Sequence, residues 1–156
     1  MPTTSQPEEP MLTQAEIREG VEARLKKYEG RSLFERFALF IGMAQLLELG
    51  LKNLLSRRYG VDIDSLERWT LGQVKGALRD RGLRPDFIAY LDSVVDYRNH
   101  MAHSFMADAF ITREMFGGQE TRFESRELDR GTYELEQLLM FFEWTEQNDA
   151  WGQDAV

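Results

Sequence analysis

Between Ser32 and Gly60 the chain carries one long apolar-rich run, with Phe34, Phe37, Ala38, Phe40, Ile41, Ala44, Leu47, Leu51, Leu54 and Leu55 recurring three or four residues apart. That interval is the helical period, and it predicts a helix over about Leu33 to Tyr59. Ser32 and Glu35 have capping-box spacing at its start, and Gly60 supplies the stop. The apolar positions cover more than one stripe, so the helix is expected either to lie at the centre of a bundle or to share a face with a second subunit. Every other element must be accommodated around it.

The flanking sequence supplies further helices. Ile17, Val21 and Leu25 stand four apart within about Leu12 to Tyr28, followed by Gly30. Thr70 and Gln73 repeat the capping-box spacing and open a short helix to about Arg81, ended by Gly82. Pro85 suits the first turn of a helix to about Met101 with Phe87, Leu91, Val94 and Val95 inward. Leu135, Leu138, Leu139, Phe142 and Trp144 mark a last helix over about Asp129 to Asp149. The expected fold is therefore an all-α antiparallel bundle of four to five helices. Residues 105–126 lack a helical period and contain Gly117-Gly118, so a small β-hairpin or a plain loop is expected there; the hairpin register would set Arg113 opposite Arg122. Residues 1–10, rich in Pro, Ser, Thr and Glu, read as a disordered arm, 11–149 as one helical domain, and 150–156 as a frayed tail.

Composition narrows the function. The 156 residues include no cysteine, no charged leader followed by an apolar segment is present, and no apolar run reads as long enough for a bilayer, so a soluble cytoplasmic protein without membrane contact is expected. The formal charge of −8 argues against a general nucleic-acid binder. Charge is unevenly spread: residues 57–84 carry +3 and residues 127–156 carry −7. A polyanion is expected to approach the middle of the chain and to be repelled from the last helix.

The chain has two histidines, and both lie in Arg98-Asn99-His100-Met101-Ala102-His103, at the end of an amphipathic helix. Arg98 stays protonated and can bind two phosphate oxygens through its planar fork. Imidazole can take or give a proton near neutrality, so His103 can serve as base or acid. Asn99 can orient the histidine or donate to phosphate, and His100 is an auxiliary candidate. On a regular helix, positions five apart point about 140° away from each other. Arg98 and His103 therefore need a helix that ends or distorts within the motif, an arginine that reaches around it, or a pairing between two subunits.

On Arg98, Asn99 and His103 the chain resembles the HEPN superfamily of small all-α proteins, many of them metal-independent ribonucleases. Their signature is an arginine, usually followed by a polar residue, and a histidine four to six positions on. The resemblance implies a homodimer with two motifs in one cleft, RNA as substrate, no cofactor or metal, and a role as toxin or in phage defence beside an antitoxin or other regulatory protein. Some members carry a tyrosine two residues beyond the histidine that accepts nucleotide groups; here that position is Phe105.

Two other readings stay open. Arg98 can pair with Asp92 or Asp96 while His103 caps a helix end, leaving a non-catalytic binding module or scaffold. Asp96, His100 and His103, at i, i+4 and i+7, can also share a face and ligate a divalent metal. Trp69 and Trp144 suit a core, and Trp151 a frayed end. No glycine-rich phosphate loop and no serine or cysteine nucleophile constellation is present.

Overall fold

The computed structural model of the chain describes residues 11–115 and 122–152. Helix α1 spans Gln14–Leu25 and runs into a 3-10 turn, Lys26–Tyr28; α2 spans Leu33–Tyr59; a second 3-10 turn covers Ile63–Leu66; α3 spans Leu71–Asp80; α4 spans Pro85–His100. A π-helical turn, Met101–Phe105, joins α4 to α5, Met106–Met115, and α6 spans Arg122–Gln147. Because α4, the π turn and α5 are continuous, the six α segments make five rods. The fold is an all-α bundle with no strand among the described residues.

The ends follow from local chemistry. The Thr70 hydroxyl accepts from the Gln73 amide while Gln73 accepts from the Thr70 amide, a complete capping box. Ser32 accepts from the Glu35 amide at 3.2 Å. Thr13 and Glu16 form a further capping box at the start of α1. Gly60 closes α2 at φ 68°, a left-handed value that glycine adopts without a Cβ clash.

The core gathers Phe40, Ala44, Leu47, Leu51, Leu54 and Leu55 of α2 with Phe87, Leu91 and Val94 of α4 and Leu128, Leu135 and Leu138 of α6. Helix α6 packs against α1, α2 and α4, and α3 against α2 and α4. The central position expected for α2 is thus met for its main stripe, while Phe34, Leu46 and Leu49 face outward. In contrast to the sequence reading, α2 is long and apolar enough by composition to cross a membrane, with 39% of its apolar window buried within the bundle.

Helix α1 is fastened to α6 through a buried carboxylate. Glu136 is fully enclosed and accepts from the Tyr28 hydroxyl at 2.7 Å and from Lys27 Nζ at 2.6 Å. Burial, and next the hydrogen bond to Glu136, raise the Tyr28 hydroxyl far above the ordinary tyrosine range. The other Glu136 oxygen accepts no hydrogen bond among the described residues and has Arg24 Nη1 at 3.7 Å.

Two expectations are corrected. The segment after Phe105 is helical as far as Met115, and α6 begins at Arg122 rather than near Asp129, so helix replaces both the hairpin and the plain loop expected over 105–126 in its described parts; Gly117-Gly118 lies outside the described residues. On α5 Ala109 is buried while Phe110, Ile111 and Met115 are exposed, a thin inward stripe that leaves little amphipathic signal. Arg113 stands over the Phe34 ring, 6.0 Å from its centroid, in place of the expected opposition to Arg122. Trp151 is buried instead of frayed: its ring packs edge-on against Phe87 at 4.9 Å, and its indole N–H donates to Glu146 at 2.7 Å. Its carbonyl also accepts from the Arg84 amide at 3.0 Å. The expected arm, residues 1–10, and residues 153–156 of the expected tail lie outside the described residues.

Candidate functional motif on a distorted helix

Helix α4 delivers the motif. Phe87, Leu91, Val94 and Val95 hold its inner face in the core, and the next inward residues are Met101, Phe105 and Ala109, all buried. Their spacing of four exceeds the 3.6-residue period, and a regular helix would carry them about 80° around its axis over those two steps. A π turn holds more residues per turn, so it keeps Met101 and Phe105 on the core side. The distortion falls on Met101–Phe105 and contains His103. The helix thus distorts within the motif, one of the three geometries that would let Arg98 and His103 act together.

The wider turn also resets the polar face. It reduces the angular separation of positions five apart below the roughly 140° of a regular helix. Asn99 and His103 are both exposed, while Arg98 is partly covered. Arg98 Nη1 reaches Asn99 Oδ1 in a long contact of 3.4 Å. Asp92 is engaged instead by Lys75 of α3, so the expected Asp92 partner for Arg98 is already taken. His103 does not cap a helix end, because the helical run continues to Met115. Among the described residues His103 has no hydrogen-bond or ion-pair partner.

His100 points elsewhere. Its Nε2 lies 2.7 Å from Glu127 Oε1 on α6, with the imidazole 40% and the carboxylate 28% exposed. Sequence reasoning did not single out Glu127, which lies 27 residues away on a helix expected to begin later. The approach of α6 is close here: a Cβ on Gly131, one turn after Glu127, would sit 3.2 Å from Tyr97 Cδ1 and 3.4 Å from Phe40 Cε2. The metal reading through Asp96, His100 and His103 is not met, since no group of three or more such ligands able to hold a metal gathers among the described residues. His100 turned to α6 and His103 displaced by the π turn account for that.

The Phe105 side chain is enclosed and stacks on Phe37 of α2, ring centroids 5.8 Å apart. Phe105 is thus a core residue. The expected basic middle segment is also largely neutralised. Arg57 pairs with Glu146 at 2.6 Å, Arg58 with Asp149 at 3.5 Å, Arg84 with Asp86 at 2.7 Å, and Lys75 with Asp92. Two of these partners belong to the acidic C-terminal stretch, so the two charge blocks read from sequence meet in space. The apolar groove of about 410 Å³ lined by Ile17, Arg84, Tyr90, Met140 and Trp144 borders the N-terminal half of α4, away from the motif.

Comparison with family models, with curated proteins and with solved structures gives no match.

Proposed function

We propose that the chain is a HEPN-like, metal-independent endoribonuclease that cleaves RNA through Arg98 and His103, with Asn99 and His100 assisting, in a cleft between two copies. The observation that supports this reading is the π turn over Met101–Phe105, which distorts the helix within the motif, with Asn99 and His103 exposed and Arg98 Nη1 3.4 Å from Asn99 Oδ1. π turns within α-helices are rare and concentrate at functional sites.

In the reaction a base takes the 2′-hydroxyl proton, the 2′-oxygen attacks the adjacent phosphorus, and the bond from phosphorus to the 5′-oxygen breaks as an acid protonates that oxygen. Arg98 offsets the charge gathering on the non-bridging oxygens, and Asn99 donates to one of them or orients His103. Acid and base work need two imidazoles, supplied by His103 together with His100 or with the His103 of a second copy. The exposed Phe34, Phe110, Ile111 and Met115 are consistent with a covered face near the motif. By resemblance the protein is a cytoplasmic toxin or phage-defence component held in check by an antitoxin or other regulatory protein.

The deciding experiment is RNA cleavage by the full chain in the presence of a chelator, with the product ends analysed. Products ending in 2′,3′-cyclic phosphate and 5′-hydroxyl are expected, and His103→Ala is expected to abolish them while folding and oligomeric state persist. Equal cleavage by variant and parent refutes the assignment. The net charge of −8 favours one rival, a non-catalytic helical binding module. That rival predicts no cleavage by either protein.

A further inference from the structure

We propose that the outward face of α2 is a pairing surface for a second copy of this chain, laid on it antiparallel through its own α2. Glu35, Leu39, Gly42, Leu46, Leu49 and Asn53 follow one another at steps of four, three, four, three and four residues. Such alternation is the repeat of a coiled-coil seam, which keeps one narrow stripe facing a partner helix. A second stripe of α2, from Phe40 through Leu47 to Leu54, fills the core of the bundle. The outward stripe has no such cover: Leu46 and Leu49 are 58% and 54% exposed, and a Cβ added to Gly42 would meet nothing within 4 Å.

The side chains along this stripe complement themselves when one copy is reversed. With a two-fold axis level with residue 44, Glu35 faces Asn53 of the second copy, Leu39 faces its Leu49 and Gly42 faces its Leu46, and each contact occurs twice. The Asn53 amide can then donate to the Glu35 carboxylate, and a large side chain meets the gap left by glycine. Leu39, Gly42, Met43 and Leu46 stand at i, i+3, i+4 and i+7, the corners of a knobs-into-holes socket, and they line an open groove of about 480 Å³. A parallel pairing would set Glu35 against Glu35 and put both copies of Gly42 in one empty layer, costs that the reversed order avoids. The cations at the two ends are neutralised within each copy, Arg31 lying 3.7 Å from Glu35 and Arg57 2.6 Å from Glu146.

The seam sets the strength of the pairing as well as its direction. From Glu35 to Asn53 it runs about 27 Å and is one helix wide. That is less than the roughly 800 Å² per partner of a standard stable complex, so the dimer is reversible, with an expected dissociation constant on the order of 10–100 µM. By composition alone α2 could also meet lipid. The stripe is too narrow for that occupant, since exposed Gln45 flanks Leu46, and exposed Glu35 and Asn53 lie in line with the leucines. None of this depends on RNA cleavage, so the pairing is decided separately from the ribonuclease reading.

Sedimentation velocity of the full chain without RNA, between about 5 and 500 µM, should show the mass passing from one copy to two. Leu46→Arg should weaken the association on the order of 30-fold. Gly42→Leu, whose Cβ meets nothing within its own copy but fills the socket, should weaken it on the order of tenfold. Circular dichroism checks that both variants stay helical, and the glycine variant serves if the arginine variant does not fold. The chain has no cysteine, so disulfides can report the register. Leu39→Cys mixed with Leu49→Cys should give the mixed disulfide under mild oxidation, whereas Leu39→Cys alone should cross-link little, its two sulfurs lying about 15 Å apart along the seam. A chain that stays monomeric, a dimer indifferent to both substitutions, or preferential self-linking of Leu39→Cys overturns the proposal. So does binding to vesicles of phosphatidylcholine and phosphatidylglycerol that Leu46→Arg abolishes, which would give the face to lipid.

Discussion

Phe105 lies stacked on Phe37, the two rings 5.8 Å apart and 11° from parallel. One ring closes the π turn and the other belongs to α2, so the distortion carrying His103 is anchored to the longest helix of the bundle. The local shape of the motif and the stability of the core are thereby joined.

Phe105→Ala should therefore cost about 3–5 kcal/mol, the usual range for removing an enclosed aromatic ring. Urea unfolding followed by circular dichroism measures it. A loss below about 1 kcal/mol would show that the stacked pair does not hold the turn.

Arg98→Lys is expected to lower cleavage by on the order of 100-fold with the fold retained. An ammonium keeps the charge but cannot grip two phosphate oxygens in one plane. Single-turnover cleavage at saturating enzyme reads the effect, and full activity in the variant would make the bidentate contact dispensable.

Glu136→Ala should destabilise the protein by about 3 kcal/mol, since it strands the Tyr28 hydroxyl and the Lys27 ammonium that meet in its buried carboxylate. Tyr28→Phe should cost about 1 kcal/mol, because Lys27 still serves the same oxygen. Matching denaturation curves for the two variants would contradict this ordering.

Acid should weaken the attachment of α4 to its surroundings. The hydrogen bond from Arg84 holds Asp86 below the ordinary aspartate value of 3.8, and the hydrogen bond from Lys75 does the same for Asp92. A carboxylate lowered in the folded state adds stability above its unfolded value and surrenders it as pH falls through the folded one. The parent should melt above Asp86→Asn and Asp92→Asn at pH 6, and the differences should close as pH drops below about 3.8. Constant differences down to pH 2.5 would show that these pairs are not the source.

Much of the bundle was legible because its signals are local. The start of α2 after Ser32, its stop at Gly60 and the opening of α4 at Pro85 each depend on chemistry within four residues. The π turn was not legible as such, although the requirement for a distortion was: Arg98 and His103 five apart on a straight helix could not cooperate. The spacing of Met101, Phe105 and Ala109 carried the missing signal, but an interval of four is common on ordinary helices. Glu127 escaped notice because its meaning depends on α6 lying against α4, a distant pairing that no local pattern encodes. Trp151 was misplaced for the same reason, since its partners Phe87 and Phe142 come from two different helices.

The pairing of Arg57 with Glu146 and of Arg58 with Asp149 reaches beyond stability. With those cations paired internally, the proposed RNA substrate would meet no broad attractive platform there, and the long-range field of a chain at −8 would slow their encounter. Moderate ionic strength shortens the reach of that repulsion, so capture of RNA should quicken between about 10 and 100 mM salt, where a basic nuclease would slow.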